Sequence, residues 1–273
     1  MEKILRVRSE LEQHLIMSDD DSYNVVYDRY VMKSAFQPIV SLSGKLFGYE
    51  ALLRVFDEAG DQLLTDPFFT SELLTERDRI NIDRLAKVIH MRNFARFISR
   101  GTLFLNMSPA AVIDGDTHVL TKHSLIPRVI DLGLSIDQIY FEVLEHFCSN
   151  DSRLAQSLQS MRRQGLQIAI DDYGVGASSE LRAREVKPEI IKMDKSLLAE
   201  YINGEPDKLL KAMELACELD AKVLLEGVED HRCFEAAQAL GVDYMQGYYI
   251  GRPELVQCLS RESERAYTQE TSL

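Results

Sequence analysis

The feature that most constrains this chain is a rhythm. Eight short apolar runs alternate with longer amphipathic stretches: Ala35–Val40, Phe47–Leu53, Thr102–Met107, Gln138–Leu144, Leu166–Asp172, Glu189–Asp194, Lys222–Val228 and Asp243–Ile250. The stretches between them, such as Arg77–Ile98, Ser152–Gln164, Pro206–Leu219 and His231–Leu240, have helical spacing of apolar residues. Strand alternating with helix predicts βα units and a largely parallel sheet. Eight units in 273 residues match the size of a (β/α)₈ barrel. A doubly wound open sheet is the alternative, but no GxGxxG follows an early run. Residues 1–17, with Ile4, Leu5, Leu11, Leu15 and Ile16, read as a helix ended by the polar run Ser18–Ser22. The chain after Pro253 is polar and reads as a tail that follows the last helix.

Strands buried on both faces should be apolar, so charges inside them carry the information. Nearly every run has a polar residue near its C-terminal end: Glu50, Asn106, Glu142, Asp171 with Asp172, Lys192 followed by Asp194, Glu226, and Gln246. In a barrel these ends meet on one face, where such folds place their chemistry. Any one of them alone would read as a solvated rim residue; their joint occurrence does not. Five carboxylates beside one lysine cannot all stay ionised without further positive charge. Carboxylates plus an amide are hard oxygen ligands, suited to Mg²⁺, Mn²⁺ or Ca²⁺. Asp171 and Asp172 are adjacent and would face opposite sides of a continuing strand, so both reach one site only if the chain turns there; Gly174 and Gly176 supply that freedom. An Asp shared between two ions ~3.5–4 Å apart would give a two-metal hydrolase.

Composition narrows the classes. Lys plus Arg is 31 against 44 Asp plus Glu, a net charge of −13, which disfavours DNA, RNA and anionic lipid as partners. Cys148, Cys217, Cys233 and Cys258 form no CxxC pair and read as reduced thiols of a cytoplasmic protein. No apolar run is long enough to span a bilayer, and the charged N-terminus is not a secretory signal, so a membrane link would need a partner. No GxSxG or HExxH motif is present.

The ordered motifs resemble those of the EAL domain, a bacterial module that hydrolyses cyclic di-GMP. They are Phe36-Gln37-Pro38-Ile39-Val40, Tyr49-Glu50-Ala51-Leu52-Leu53-Arg54, Asn106-Met107-Ser108-Pro109, Glu142-Val143-Leu144-Glu145, Asp171-Asp172-Tyr173-Gly174-Val175-Gly176, Ile191-Lys192-Met193-Asp194, Glu226-Gly227-Val228-Glu229 and Gln246-Gly247-Tyr248-Tyr249. The resemblance spans residues 34–258. It implies an α/β fold, a modified (β/α)₈ TIM-type barrel with one antiparallel strand, here carrying a short N-terminal helical extension (1–33) and a C-terminal tail (259–273). It further implies linearisation of cyclic di-GMP to pGpG by a water activated by two metal ions, Mg²⁺ or Mn²⁺, with Ca²⁺ inhibitory. Glu50, Asn106, Glu142 and Asp171 would hold one ion; Asp171, Asp172 and Glu226 would serve the second. Lys192 would orient the water and stabilise charge, Arg54 would contact a phosphate, Gln246 and Asp194 would complete the polar shell, and Glu145 would brace the loop after Asp172. A homodimer is implied as well. Tyr173, Val175 and Ala177 depart from the family's Asp-Asp-Phe-Gly-Thr-Gly-Tyr loop, Leu144 replaces a Thr, and the chain between Arg54 and Arg77 is rewritten. These departures leave two other functions in play: a non-hydrolysing cyclic di-GMP receptor that signals through a protein partner, and an interaction scaffold. No Gly-Gly-Asp-Glu-Phe motif or large sensory domain is expected, so regulation falls to the N-terminal segment, to dimerisation or to a separate regulatory protein.

Overall fold

The structure is a computed structural model that describes residues 3–108, 125–144, 151–175 and 179–259; for 144, 151–155 and 179 the backbone alone is described. The strands are β1 (Leu15–Met17), β2 (Tyr23–Tyr27), β3 (Tyr30–Ser41), β4 (Leu46–Phe56), β5 (Gln62–Leu63), β6 (Thr102–Met107), β7 (Ile139–Leu144), β8 (Gln167–Tyr173), β9 (Ile190–Met193), β10 (Lys222–Leu225), β11 (Tyr244–Met245) and β12 (Glu254–Leu255). Strands β4, β6, β7, β8, β9, β10 and β11 pair in parallel, and β3 closes the ring by running antiparallel to both β11 and β4. The result is a (β/α)₈-type barrel with one reversed strand, and each of the eight apolar runs contributes one stave.

Alternation along each stave builds two cores. Ile39, Phe104, Ala169, Ile190 and Leu224 face inward and fill the barrel floor, with Phe47, Tyr140 and Tyr244 packed on them. Phe47 stacks on Tyr244 with ring centres 3.8 Å apart, and Phe104 stacks on Tyr140 at 4.7 Å. Residues between these, such as Leu103, Leu105, Phe141, Ile168, Ile170, Ile191, Val223 and Leu225, face outward and bury against the helices. A run buried on both faces reads as continuous apolar sequence, which is why the staves stand out.

The helices used below are α1 (Arg8–Glu12), α2 (Thr65–Thr70), α3 (Glu76–Phe97), α4 (Ile126–Asp131), α5 (Asp151–Arg162), α6 (Ser179–Val186) and α7 (Lys195–Ile202). Helix α3 starts at a capping box in which Thr75 accepts from the Asp78 amide and Asp78 accepts from the Thr75 amide. No described helix is long and apolar enough to cross a membrane.

The N-terminal segment corrects the expected helical extension. Among its described residues only Arg8–Glu12 is helical; Leu15–Met17 pairs antiparallel with Tyr23–Val25, and β2 pairs on to β3. The polar run 18–22 is the hairpin turn: the Ser18 amide donates to the Ser22 carbonyl at 2.9 Å and Asp21 adopts φ +67°. Long-range pairing overrides the local spacing here. The chain after Pro253 is also less free than its polarity suggests, because Glu254–Leu255 pairs with Phe36 and Ala35 and Val256 is buried.

Candidate active site

The polar residues at the strand ends follow from the same alternation. Six of them lie two positions beyond an inward-facing residue of the floor: Asn106 after Phe104, Glu142 after Tyr140, Asp171 after Ala169, Lys192 after Ile190, Glu226 after Leu224 and Gln246 after Tyr244. They therefore point into the barrel one layer higher, at its C-terminal mouth. On the reversed strand the order inverts, so Gln37 lies two positions before Ile39, and it is in register with Glu50. Gln37 has no C-terminal strand-end signal in the sequence, because its strand runs the other way.

Lys192 is the hub. Its Nζ lies 2.6 Å from Glu142 Oε1, 2.6 Å from Asp171 Oδ1, 2.9 Å from Glu226 Oε1 and 3.7 Å from Glu50 Oε2. A chain of amides holds the other side of Glu50. Gln246 Nε2 donates to Glu50 Oε2 at 2.7 Å and to Gln37 Oε1 at 3.2 Å, Gln37 Nε2 donates to the Gly251 carbonyl at 3.1 Å, and Asn106 Nδ2 donates to Glu50 Oε1 at 3.2 Å. Glu50, Glu142, Asp171, Lys192, Gln37 and Gln246 are all buried.

Four carboxylates around one ammonium leave an excess of negative charge in a dry place. Burial pushes the Glu142 carboxyl well above the usual range, and Glu50 and Asp171 add to the rise while Lys192 opposes it. Burial, then Asp171, lifts Asp172 to about 6. Burial lifts Glu226 to about 8 against the pull of Lys192. Burial alone would lower Lys192, but Asp171, Glu142, Glu226 and Glu50 outweigh it and hold the ammonium well above its ordinary value. Lys192 is thus a fixed cation.

Asp171 and Asp172 reach the same site by a device the sequence reading placed elsewhere. The β8–β9 register slips between Ile170 and Tyr173, and Asp172 itself takes φ +54°. The turn begins at Asp172 itself, ahead of Gly174. Gly174 has φ +108°, and a Cβ there would sit 2.6 Å from Leu197 Cδ1 on α7, so this position needs glycine. Carboxylate oxygens of Asp171, Asp172 and Glu226 all lie within 4.8 Å of one another. Glu142 Oε2 is buried with no hydrogen-bond partner among the described residues. An orphaned buried oxygen and a tight carboxylate trio are a donor set that suits a hard divalent cation.

The remaining expected site residues sit differently. Arg54, on β4, donates to the Leu53 carbonyl at 3.1 Å and makes no ion pair among the described residues. Asp194 caps α7 by accepting from the Ser196 amide at 2.8 Å, and its own amide donates to the Tyr173 carbonyl at 3.1 Å, so it ties the ends of β8 and β9 together. Glu145, Gly176 and Ala177 lie outside the described residues; Val175 is exposed. Beyond Gln246, the Arg252 guanidinium lies 4.3 Å from the ring centre of the exposed Tyr248.

Comparison with known proteins now decides the family. A model of the EAL domain matches residues 28–253. The chain belongs to the EAL domain family. It is 30% identical over 225 residues to the cyclic di-GMP phosphodiesterase PdeF of Escherichia coli K12, covering 80% of this chain and 29% of that protein. The chain thus spans about a third of the curated relatives it matches. A standalone EAL protein from Vibrio cholerae O395, solved with cyclic di-GMP bound, superposes with a TM-score of 0.73 at 25% identity, covering 85% of this chain and 95% of that one. The Bacillus subtilis YkuI protein, solved with cyclic di-GMP and calcium, superposes with a TM-score of 0.70 at 25% identity, covering 82% of this chain and 56% of that one.

Proposed function

We propose that this EAL domain is a metal-dependent phosphodiesterase that opens cyclic di-GMP to linear pGpG. The observation that carries the reading is the convergence of Glu142, Asp171, Glu226 and Glu50 on Lys192 Nζ, with Asp172 joining Asp171 and Glu226. PdeF and the cyclic di-GMP-bound Vibrio cholerae structure support it from outside the chain.

Glu50, Asn106, Glu142 and Asp171 would hold one divalent ion, and Asp171, Asp172 and Glu226 a second. Bound there, the ions would supply Lewis acidity and a water of lowered pKa, and would invert the local field for an anionic substrate. The chain's own residues do the rest. Lys192 keeps its proton and offers a fixed positive charge to the water and the scissile phosphate. Gln246, itself bound to Gln37, fixes the orientation of the Glu50 carboxylate. Arg54, with no ion pair among the described residues, would take a substrate phosphate in its guanidinium fork. The aliphatic and aromatic floor beneath the carboxylate layer excludes water from below. No side-chain nucleophile is needed.

The same proposal has a cytoplasmic homodimer using Mg²⁺ or Mn²⁺, with Ca²⁺ inhibiting. The deciding experiment incubates the protein with cyclic di-GMP across a Mg²⁺, Mn²⁺ and Ca²⁺ series and separates products by chromatography. The expected result is pGpG with Mg²⁺ or Mn²⁺ alone. Calorimetric binding of cyclic di-GMP with no product under any ion would replace the reading with the non-hydrolysing receptor.

A further inference from the structure

Residues 3–27 lie ahead of the EAL match at residue 28, yet their first part is tied to the barrel by polar contacts with α3 and α4. Asn81 on α3 accepts from the Leu5 amide at 2.8 Å and donates to the Lys3 carbonyl at 3.1 Å. Arg84, one turn along, donates to the Leu5 carbonyl at 2.8 Å. Glu12, at the end of α1, receives Arg92 of α3 on both oxygens at 2.8 and 2.7 Å and Arg128 of α4 at 2.5 Å. The Arg128 side chain is 2% exposed. Its Nη2 and the Arg92 Nε are buried with no hydrogen-bond partner among the described residues. Removing Glu12 would leave two guanidiniums without that carboxylate, so its seat is built and specific.

The apolar hold on this segment is small: Leu11 is buried, Leu5 packs against the same cluster, and Arg8 pairs with Asp131 of α4. Helix α1 is a single five-residue stretch whose one buried residue is Leu11, and Val7 is exposed. A lone turn does not stand by itself in water, so this element belongs at the low end of the local stability range. Helix α3 leads into β6, which carries Asn106. Between Asn81 and Arg84, Asp83 accepts from the Ser108 amide at 3.0 Å, two residues beyond Asn106. The residues that grip the N-terminal segment thus flank the residue that grips the end of the Asn106 strand.

We propose that residues 3–12 are a regulatory strap. Seated on Asn81, Arg84, Arg92 and Arg128, it sets α3 so that Asp83 holds the end of β6 and keeps Asn106 at the barrel mouth. Unseated, it frees that strand end and weakens the cation site. The inference rests on the metal-site reading above only for its affinity readout.

The test is Glu12→Gln in the full chain, read by amide hydrogen exchange and by Mn²⁺ calorimetry, both without substrate. Residues 3–12 should exchange about tenfold faster. Residues 102–108 should follow, while β9 and β10 stay as in the parent, and the Mn²⁺ dissociation constant should rise about fivefold. Arg92→Lys should move all three readouts the same way by less. Faster exchange in 3–12 with 102–108 unchanged overturns the coupling, and unchanged exchange in 3–12 overturns the strap. Global unfolding of Glu12→Gln by circular dichroism also overturns it, since the segment would then be core. A parent chain that binds no Mn²⁺ sinks the proposed function, while the exchange pattern still decides this inference.

Discussion

Two buried polar regions of this molecule differ in their charge balance, and the difference separates a site from a scaffold. At the barrel mouth four carboxylates share Lys192, and Glu142 keeps a buried oxygen without a partner among the described residues. At Lys87, His90 and Asn93 of α3 the buried polar groups are matched. Lys87 pairs with Asp83 one turn away. Asn93 accepts from the Tyr23 amide and donates to the Tyr23 carbonyl and to Ser34. His90 contacts Ser34 at 2.8 Å. The two buried lysines register the contrast: Lys192 is raised by its carboxylates against burial, whereas burial lowers Lys87 despite Asp83. A buried polar cluster that satisfies itself stabilises the fold; one that carries surplus charge is arranged for something it does not contain.

The comparison can be broken in order of effect. Glu50→Ala should reduce pGpG formation by more than about 100-fold, beyond what loss of an outer-shell partner costs a metal site; an unchanged rate in that variant would remove Glu50 from the machinery. Asn93→Ala strands both polar groups of Tyr23 and should cost about 2–3 kcal/mol in urea unfolding while leaving Mn²⁺ affinity as it was. If Asn93→Ala weakened Mn²⁺ binding instead, the line between scaffold and site would fall.

The two regions should also respond to pH in opposite directions. Burial holds His90 at about 3 in the folded protein against 6.5 ordinarily, so the unfolded chain binds the extra proton. That contribution to stability is complete above pH 6.5 and is lost at up to about 1.4 kcal/mol per pH unit as pH falls from there toward 3. Glu226 is raised from 4.5 to about 8, so the folded metal-free protein binds the extra proton, and its contribution is complete below 4.5 and lost as pH rises through 8. Urea midpoints from pH 4 to 9 should therefore show an acid loss that His90→Gln flattens and an alkaline loss that saturating Mn²⁺ abolishes. The smallest expected effect sharpens the contrast in sign: Glu142→Gln should stabilise the metal-free protein by about 1 kcal/mol, because it replaces a carboxyl whose ionisation a dry, acidic site opposes by a neutral amide. A destabilised Glu142→Gln would mean that the mouth is balanced like α3.

How much could be read in advance varies by residue. The eight staves were legible because parallel strands under helices bury both faces and leave unbroken apolar runs. Asn106, Glu142, Asp171, Lys192, Glu226 and Gln246 were legible as polar residues breaking those runs near one end. Gln37 was not given a role, because its strand runs the other way and its polar residue sits at the opposite end of the run. The hairpin at 15–27 was not legible, since Leu11, Leu15 and Ile16 suit a helix as well as a strand until Tyr23–Val25 arrives to pair.

The sequence by itself determined the succession of strand and helix units, the EAL motifs and the set of acidic residues accompanying one lysine, because two-residue alternation and burial leave a direct trace in residue type. Only the tertiary structure decided how that set is charged and joined. The slip at Asp171–Asp172, the Gln37–Gln246–Glu50 chain and the seat of Glu12 between α3 and α4 all depend on groups far apart in the chain. Distances of that kind, and the desolvation that comes with them, are set by packing and have no local signature.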